Sequence, residues 1–108
     1  MTAAKMMVIF IDETDQWDNR PLYEAIVRRL RQLGVRGATV TTGMMGFGAH
    51  LKVHHKRLFG VSDDRPTMIL VVDSEQTIRR VLPEIRGMVK EGLVVLLDAE
   101  VIDPVAEA

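Results

Sequence analysis

Six consecutive apolar residues, Met6-Met7-Val8-Ile9-Phe10-Ile11, stop abruptly at Asp12 and Glu13. An unbroken run of this length needs apolar cover on both sides, and it is too short for a buried helix. It is also far short of the ~20 residues that cross a bilayer. It therefore predicts a central β-strand, so the rest of the chain must supply cover for two faces.

The remaining pattern supplies one layer. Leu22, Ile26, Leu30 and Leu33 recur at helical spacing with Arg28, Arg29, Arg31 and Gln32 on the other side, Pro21 suits the first turn and Gly34 the left-handed position after the last. This predicts a helix over 21–33. The alternating Gly37–Thr42 is a second strand, and Thr67–Val72, just after Pro66, is a third. Asp73 and Gln76 resemble a capping box before the stripe Ile78, Val81, Leu82, Ile85, Met88 and Val89, predicting a helix over 74–90 that Pro83 kinks or divides and Gly92 ends. Leu93 opens a last strand running towards Ile102.

The order βαββαβ, with right-handed crossovers, puts both helices on one face of a four-stranded antiparallel sheet: an α+β, ferredoxin-like sandwich. With helices on one face only, the other face of the first strand stays wet. A contiguous apolar patch of that kind marks an interface, and oligomerisation through the open sheet face is expected.

At 108 residues the chain is one domain, 1–108, large enough to bury a core without disulfides or a structural metal. It has no Cys, which excludes thiolate metal sites, iron–sulfur clusters and cysteine nucleophiles. Fourteen Lys plus Arg against fifteen Asp plus Glu leave a net charge of −1, so no global field favours nucleic acid or an anionic membrane. Any electrostatic partner must be met locally. The N-terminal MTAAKMMVIFIDETD has no small-residue cleavage site, which argues against a secretory signal and predicts a cytoplasmic location.

The long connection Gly43–Arg65 is the most informative segment, because loops beyond ~12–15 residues in a compact domain are commonly functional. Its first part, Gly43-Met44-Met45-Gly46-Phe47-Gly48, lets backbone come close to a ligand, although a plain flexible strand exit would read the same. Its second part, His50–Arg57, holds three His, two Lys and one Arg and suits an anion or an acidic neighbour; a solvated helical turn would look similar. His50 and His54 have a spacing that holds transition metals, but no carboxylate completes the set and Lys52 and Lys56 repel a cation. Asp12, Glu13, Asp15 and Asp18 lack the glycine turn and distal Glu of a calcium loop, and Trp17 among them reads as packing over a core edge or interface. Ser62 and Ser74 lie in no nucleophile elbow, the latter reading as helix-start chemistry, and Gly46-Phe47-Gly48 opens no long apolar helix, so neither a hydrolase nor a dinucleotide fold is supported.

The stretch GVRGATVTTGMMGFGAH (Gly34–His50) resembles the strand-to-T-loop junction of PII signalling proteins, and DRPTMILVVDSEQTIRRVLPEI (Asp64–Ile85) resembles their third strand and second helix. More closely, IDETDQWDNRPLYEAIVRRLRQLGVRGATVTTGMMGFGAH with KEGLVVLLDAEVI resembles the PII-like family called domain of unknown function 190, over nearly the whole chain. The resemblance implies a homotrimer with small effectors, adenine nucleotides among them, in clefts between subunits. Gly46, Phe47, Gly48 and His50 match the T-loop base, and Glu91 and Gly92 match part of the B-loop. His50 stands where a PII protein has Gln, and Leu93 where it has a phosphate-binding Lys. Tyr23, the only Tyr, lies in the first helix, so T-loop uridylylation is not expected.

The expected function is that of a non-enzymatic trimeric regulator. A small anionic effector, an adenine nucleotide in this reading, sits near Gly46, Phe47, Gly48, His50, Glu91 and Gly92, with Lys52, Lys56 and Arg57 meeting its charge. The loop 43–65 then contacts a target, for which the family's association with fluoride-channel genes suggests a membrane transporter or channel. One alternative is metal binding or metal tolerance in the manner of the CutA group, through His50, His54 and His55. Another is an enzyme using the same site with a His as general base.

Overall fold

A computed structural model describes residues 2–48 and 65–102. Its elements are β1 (Thr2–Asp12), a small hairpin β2 (Gln16–Trp17) and β3 (Arg20–Pro21), α1 (Leu22–Gln32), β4 (Thr39–Thr42), β5 (Pro66–Asp73), α2 (Glu75–Met88) and β6 (Leu93–Val101). The large sheet runs β4-β5-β1-β6 with every described neighbour antiparallel. With the hairpin set aside this is the expected βαββαβ sandwich.

β1 pairs on both edges, Ile9 lying between Ile69 of β5 and Val94 of β6. The pleat then sorts its apolar run. Met7, Ile9 and Ile11 are fully covered and form one cluster with Ile69 and Val71 of β5, Ile26 and Leu30 of α1, and Ile78, Val81 and Ile85 of α2. Met6, Val8 and Phe10 point to the opposite face, where Met68 and Leu70 of β5 and Leu93, Val95 and Leu97 of β6 share their register rows. The continuous run is thus two apolar faces, one covered by helices and one by none of the described elements. Phe10 is 36% exposed, Leu97 46% and Leu93 58%, whereas Val8 between the flanking strands is 7% exposed.

β1 extends four residues before Met6, because Lys5 pairs its ammonium with Asp98 across the β1–β6 ladder and so fits a strand. Pro21 precedes α1 as its N-cap rather than opening its first turn, and it also closes the hairpin opposite Gln16. That hairpin went unrecognised because its turn, Asp18-Asn19, carries no glycine. Both residues have positive φ, 47° and 65°, as a two-residue primed turn requires. Gly34 takes the left-handed position after α1, φ 87°, as expected.

Two local expectations are corrected, and of the two alternatives at Pro83 one is removed. The N-cap of α2 is Ser74, whose Oγ accepts from the Thr77 N–H at 3.1 Å, not Asp73. Asp73 instead accepts from the Ser74 N–H at 2.7 Å and the Arg36 N–H at 2.9 Å, so one buried carboxylate ties the α1–β4 connection to the end of β5. Gly92 does not end α2: Val89 leaves helical geometry first, with its side chain in the core and its N–H on the Ile85 carbonyl. Pro83 does not divide α2, which runs unbroken from Glu75 to Met88. It lies on the exposed side, where a helix is free to bow and water can serve the carbonyl that loses its partner.

That position still carries the helix-interior cost of a proline. Pro83→Ala is therefore expected to stabilise the protein, by at most ~3 kcal/mol of helix propensity less ~1 kcal/mol for the freer unfolded chain. Chemical denaturation measures it. No change or a loss would mean that the ring makes a packing contact worth as much as the missing hydrogen bond.

Candidate functional site

The sheet register gathers the expected site residues at one end. Thr42 of β4 pairs with Thr67 of β5, Thr67 pairs with Ile11 of β1, and β6 begins with Leu93 opposite Phe10. The exit of β4 and the entry to β6 therefore flank the C-terminal end of β1. They sit on opposite edges, three strand spacings or about 14 Å apart.

On the β4 side the backbone wraps around Pro66. The Gly43 N–H donates to the Pro66 carbonyl at 2.7 Å, extending the ladder past β4. A Cβ on Gly43 would lie 2.9 Å from Pro66 Cγ, and one on Gly46 would lie 3.3 Å from the same atom. Both glycines are therefore set by close approach to the proline. Gly48 meets nothing within 4 Å, so its missing Cβ leaves open backbone. Between them Met44, Met45 and Phe47 are 98%, 88% and 77% exposed, an unusual density of solvated apolar side chains.

At the end of β1 the turn is locked by carboxylates. Buried Asp12 accepts from the Thr14 N–H at 2.9 Å and the Thr14 hydroxyl at 3.0 Å, while Asp15 accepts from the Asp12 N–H at 3.1 Å. The Glu13 N–H donates to the Arg65 carbonyl at 2.9 Å, pinning the return of the long connection beside this turn. Asp12 and Asp15, which form no calcium loop, thus organise the sheet end itself.

On the β6 side Gly92 is a packing glycine. A Cβ there would stand 2.4 Å from the Phe10 carbonyl oxygen and 2.9 Å from Val89 Cγ1. Glu91, exposed beside it, lines a cleft of about 570 Å³ with Asp15, Gln16, Trp17 and Lys90. Sequence reading did not assemble this cleft: the hairpin brings Trp17 to Lys90, whose Nζ lies 6.0 Å from the ring centroid. Trp17 also packs against the core cluster, as expected of an aromatic over a core edge. A second cleft of about 470 Å³ continues past Trp17 between α1 and α2, where Arg29 and Glu84 pair across the helices.

Gly46, Phe47, Gly48, Glu91 and Gly92 are therefore brought to one end of the sheet but not to one spot. His50, Lys52, His54, His55, Lys56 and Arg57 lie outside the described residues, as does most of the connection 43–65. Among the described residues no group of three or more His, Asp or Glu is placed to hold a metal ion. The groups with shifted titration lie elsewhere. Hydrogen bonding to Arg29 holds Glu84 below the usual carboxylate range, and Lys5 does the same for Asp98. Both depressed values favour the fold above the ordinary carboxylate pKa, an advantage withdrawn as pH falls through them.

Residues 4–101 match the DUF190 family model, described as "Uncharacterized ACR". A UPF0166 protein of Aquifex aeolicus is 33% identical over 98 residues, covering 91% of this chain and 92% of its own. Among solved structures, CPII from Thiomonas intermedia K12, bound to ADP, AMP and acetate, superposes with a TM-score of 0.65 at 20% identity, covering 96% of this chain and 93% of that one. A PII-like signalling protein of Thermus thermophilus gives 0.55 at 17% identity, covering 91% and 86%. The chain belongs to the DUF190 family, and its fold is that of the PII-like signalling proteins.

Proposed function

We propose that this DUF190 protein is a homotrimeric regulator of the cytoplasm that binds an adenine nucleotide in clefts between subunits and acts on a target through the segment 43–65. The observation that carries the reading is the placement of the two site halves. The glycine-rich exit of β4 and the Glu91-Gly92 entry of β6 share one sheet end but lie on opposite edges. A neighbouring copy brings further groups to each half, and the apolar open face supplies the contact that would hold the copies together. Thr41 Oγ1, on that face, is buried with no hydrogen-bond partner among the described residues, as expected of a group that a neighbour completes. The fold likeness to CPII, itself bound to ADP and AMP, supports the choice of ligand.

In this site the phosphates meet backbone N–H groups near Gly48 and the cations Lys52, Lys56 and Arg57. Leu93, where PII proteins carry a phosphate-binding Lys, offers only an exposed apolar side chain. The loop cations therefore bear more of the charge. An effector shifts such a loop only by binding one of its states more tightly than another, which a contact made by the loop itself achieves. No helix among the described residues is long and apolar enough to cross a membrane, so a transporter or channel target would be met from outside the bilayer.

Titration calorimetry with ADP, AMP and ATP, together with light scattering, tests the reading. The expected mass is about 36 kDa, three times 12.1 kDa. At least one nucleotide is expected to bind. Lys56→Ala should weaken it by roughly 10- to 150-fold if the contact is direct, since a charge-assisted hydrogen bond contributes ~1.5–3 kcal/mol. His50→Ala should remove a gain in affinity seen on lowering the pH through ~6.5. A monomer that binds no nucleotide would overturn the proposal, and zinc or copper binding that depends on His50 and His54 would replace it with the metal reading.

A further inference from the structure

The net charge of −1 conceals a separation. Helices α1 and α2 hold six Arg against three Glu, and Arg20, Arg36 and Lys90 at their ends bring the cations to nine. The rest of the chain holds five Lys plus Arg against twelve Asp plus Glu, Asp15 and Asp18 of the neighbouring hairpin among them. Both helices pack on one face of the sheet, so this excess is spread over the outer side of the protomer, opposite the open apolar face. The three carboxylates are already engaged: Glu24 with Arg20 and Arg28, Glu84 with Arg29, and Glu75 with Arg79. Arg80 and Arg86 donate to the Leu33 and Val89 carbonyls and pair with no carboxylate among the described residues. The guanidinium groups of Arg31 and Arg36 have no carboxylate partner among the described residues. They flank a pocket of about 220 Å³ floored by Val27, Leu30, Val35 and Ala38.

We propose that this outer helical face docks an acidic segment of a partner polypeptide, with carboxylates on Arg31 and Arg36 and one aliphatic side chain in the pocket between them. The chemistry of the face selects this partner over other polyanions. None of the large exposed apolar side chains lies on α1 or α2, so the face has nothing to insert into a bilayer. Tyr23 of α1 is partly buried against the core, and Trp17 beside the helices is half-buried with Lys90 over its ring, so neither is a free platform for stacking bases. Arginine forks pair bidentately with carboxylates, and an apolar-floored pocket between two of them suits alternating acidic and aliphatic residues. The inference rests on the fold and the charge distribution, not on the nucleotide reading.

The probe is a fluorescein-labelled 12-residue peptide of alternating Glu and Leu, followed by fluorescence anisotropy with the full-length protein. Binding is expected, weakening as salt rises from 50 to 300 mM. The double variant Arg31→Glu, Arg36→Glu should bind at least about tenfold more weakly. Both residues are exposed and neither guanidinium pairs with a carboxylate among the described residues, so its thermal unfolding should match the parent's. Should it not, Arg31→Gln with Arg36→Gln serves instead. Nucleotide titrations on the same variants should be unchanged, which separates failure of this proposal from failure of the nucleotide reading. Equal peptide affinity in the variants would overturn the proposal. So would tighter binding to phosphatidylserine vesicles or to a single-stranded oligonucleotide than to the peptide. Salt-sensitive self-association of the parent, lost in the variants, would assign the face to a second copy instead.

Discussion

Gly92→Ala is expected to lower stability by several kcal/mol, more than any other single glycine replacement among the described residues. The added Cβ would sit 2.4 Å from the Phe10 carbonyl oxygen, inside any real contact distance, with Val89 Cγ1 at 2.9 Å and Ile11 Cγ2 at 3.4 Å behind it. The obstacle is backbone of β1, which is paired with β5 on one edge and β6 on the other, so it cannot retreat without breaking ladder hydrogen bonds. Overpacking a core typically costs ~1–3 kcal/mol when side chains can adjust, and here the first neighbour is not a side chain. Against a total of ~5–15 kcal/mol, such a loss moves the denaturation midpoint plainly. By contrast, Gly48→Ala meets nothing within 4 Å and should leave the midpoint where it is. If the two variants unfold at the same denaturant concentration, the close approach of Gly92 to β1 is wrong. The comparison also bears on function: lost nucleotide binding in Gly92→Ala would follow from a damaged sheet end, whereas lost binding in a stable Gly48 variant would report on the ligand.

Gly92 also shows what a sequence conceals. The family resemblance placed it in a ligand-binding loop, and helix punctuation made it the end of α2. Its demanding constraint, a carbonyl of β1 lying against its Cα, is a contact across some eighty residues that no local pattern records. What was legible followed short-range rules. The stripes of α1 and α2, the left-handed Gly34 and the apolar runs of β1 and β5 each follow from neighbouring residues alone. Asp73 failed this test because its partner, the Arg36 N–H, comes from the far side of a strand and a loop. The Trp17–Lys90 cleft failed because it depends on a six-residue hairpin too short to declare itself by period. The charge separation was present in the sequence throughout, but it acquires meaning only once both helices are known to share a face. The net charge averages it away.

The largest contrast is expected between adjacent residues of β1. Ile9 has no exposed surface and packs between the sheet and both helices, whereas Phe10, one step along the pleat, looks onto the open face and is 36% exposed. Ile9→Asp removes a buried aliphatic side chain, at ~2–5 kcal/mol, and leaves a carboxylate in an apolar site with no partner, at several kcal/mol more unless it stays protonated. Together these equal the stability of a typical domain, so Ile9→Asp should yield no folded protein by circular dichroism at neutral pH. Phe10→Asp places its carboxylate where water already reaches in the isolated protomer, and its helix-to-sheet core is untouched. It should fold. If copies associate through the open face, that same carboxylate would be sealed against Leu93, Leu97 and their counterparts in a neighbour, so light scattering should fall from about 36 kDa to about 12 kDa while the circular dichroism persists. Leu97→Asp, on the same face and 46% exposed, provides an independent second disruption of the same contact. An assembled Phe10→Asp protein and an assembled Leu97→Asp protein would together remove the open sheet face from the interface. A folded but monomeric Leu97→Asp protein that also loses nucleotide binding would tie the effector site to the junction between copies, because Leu97 lies in neither half of the site, whereas Phe10 stands opposite Leu93 at the β6 entry.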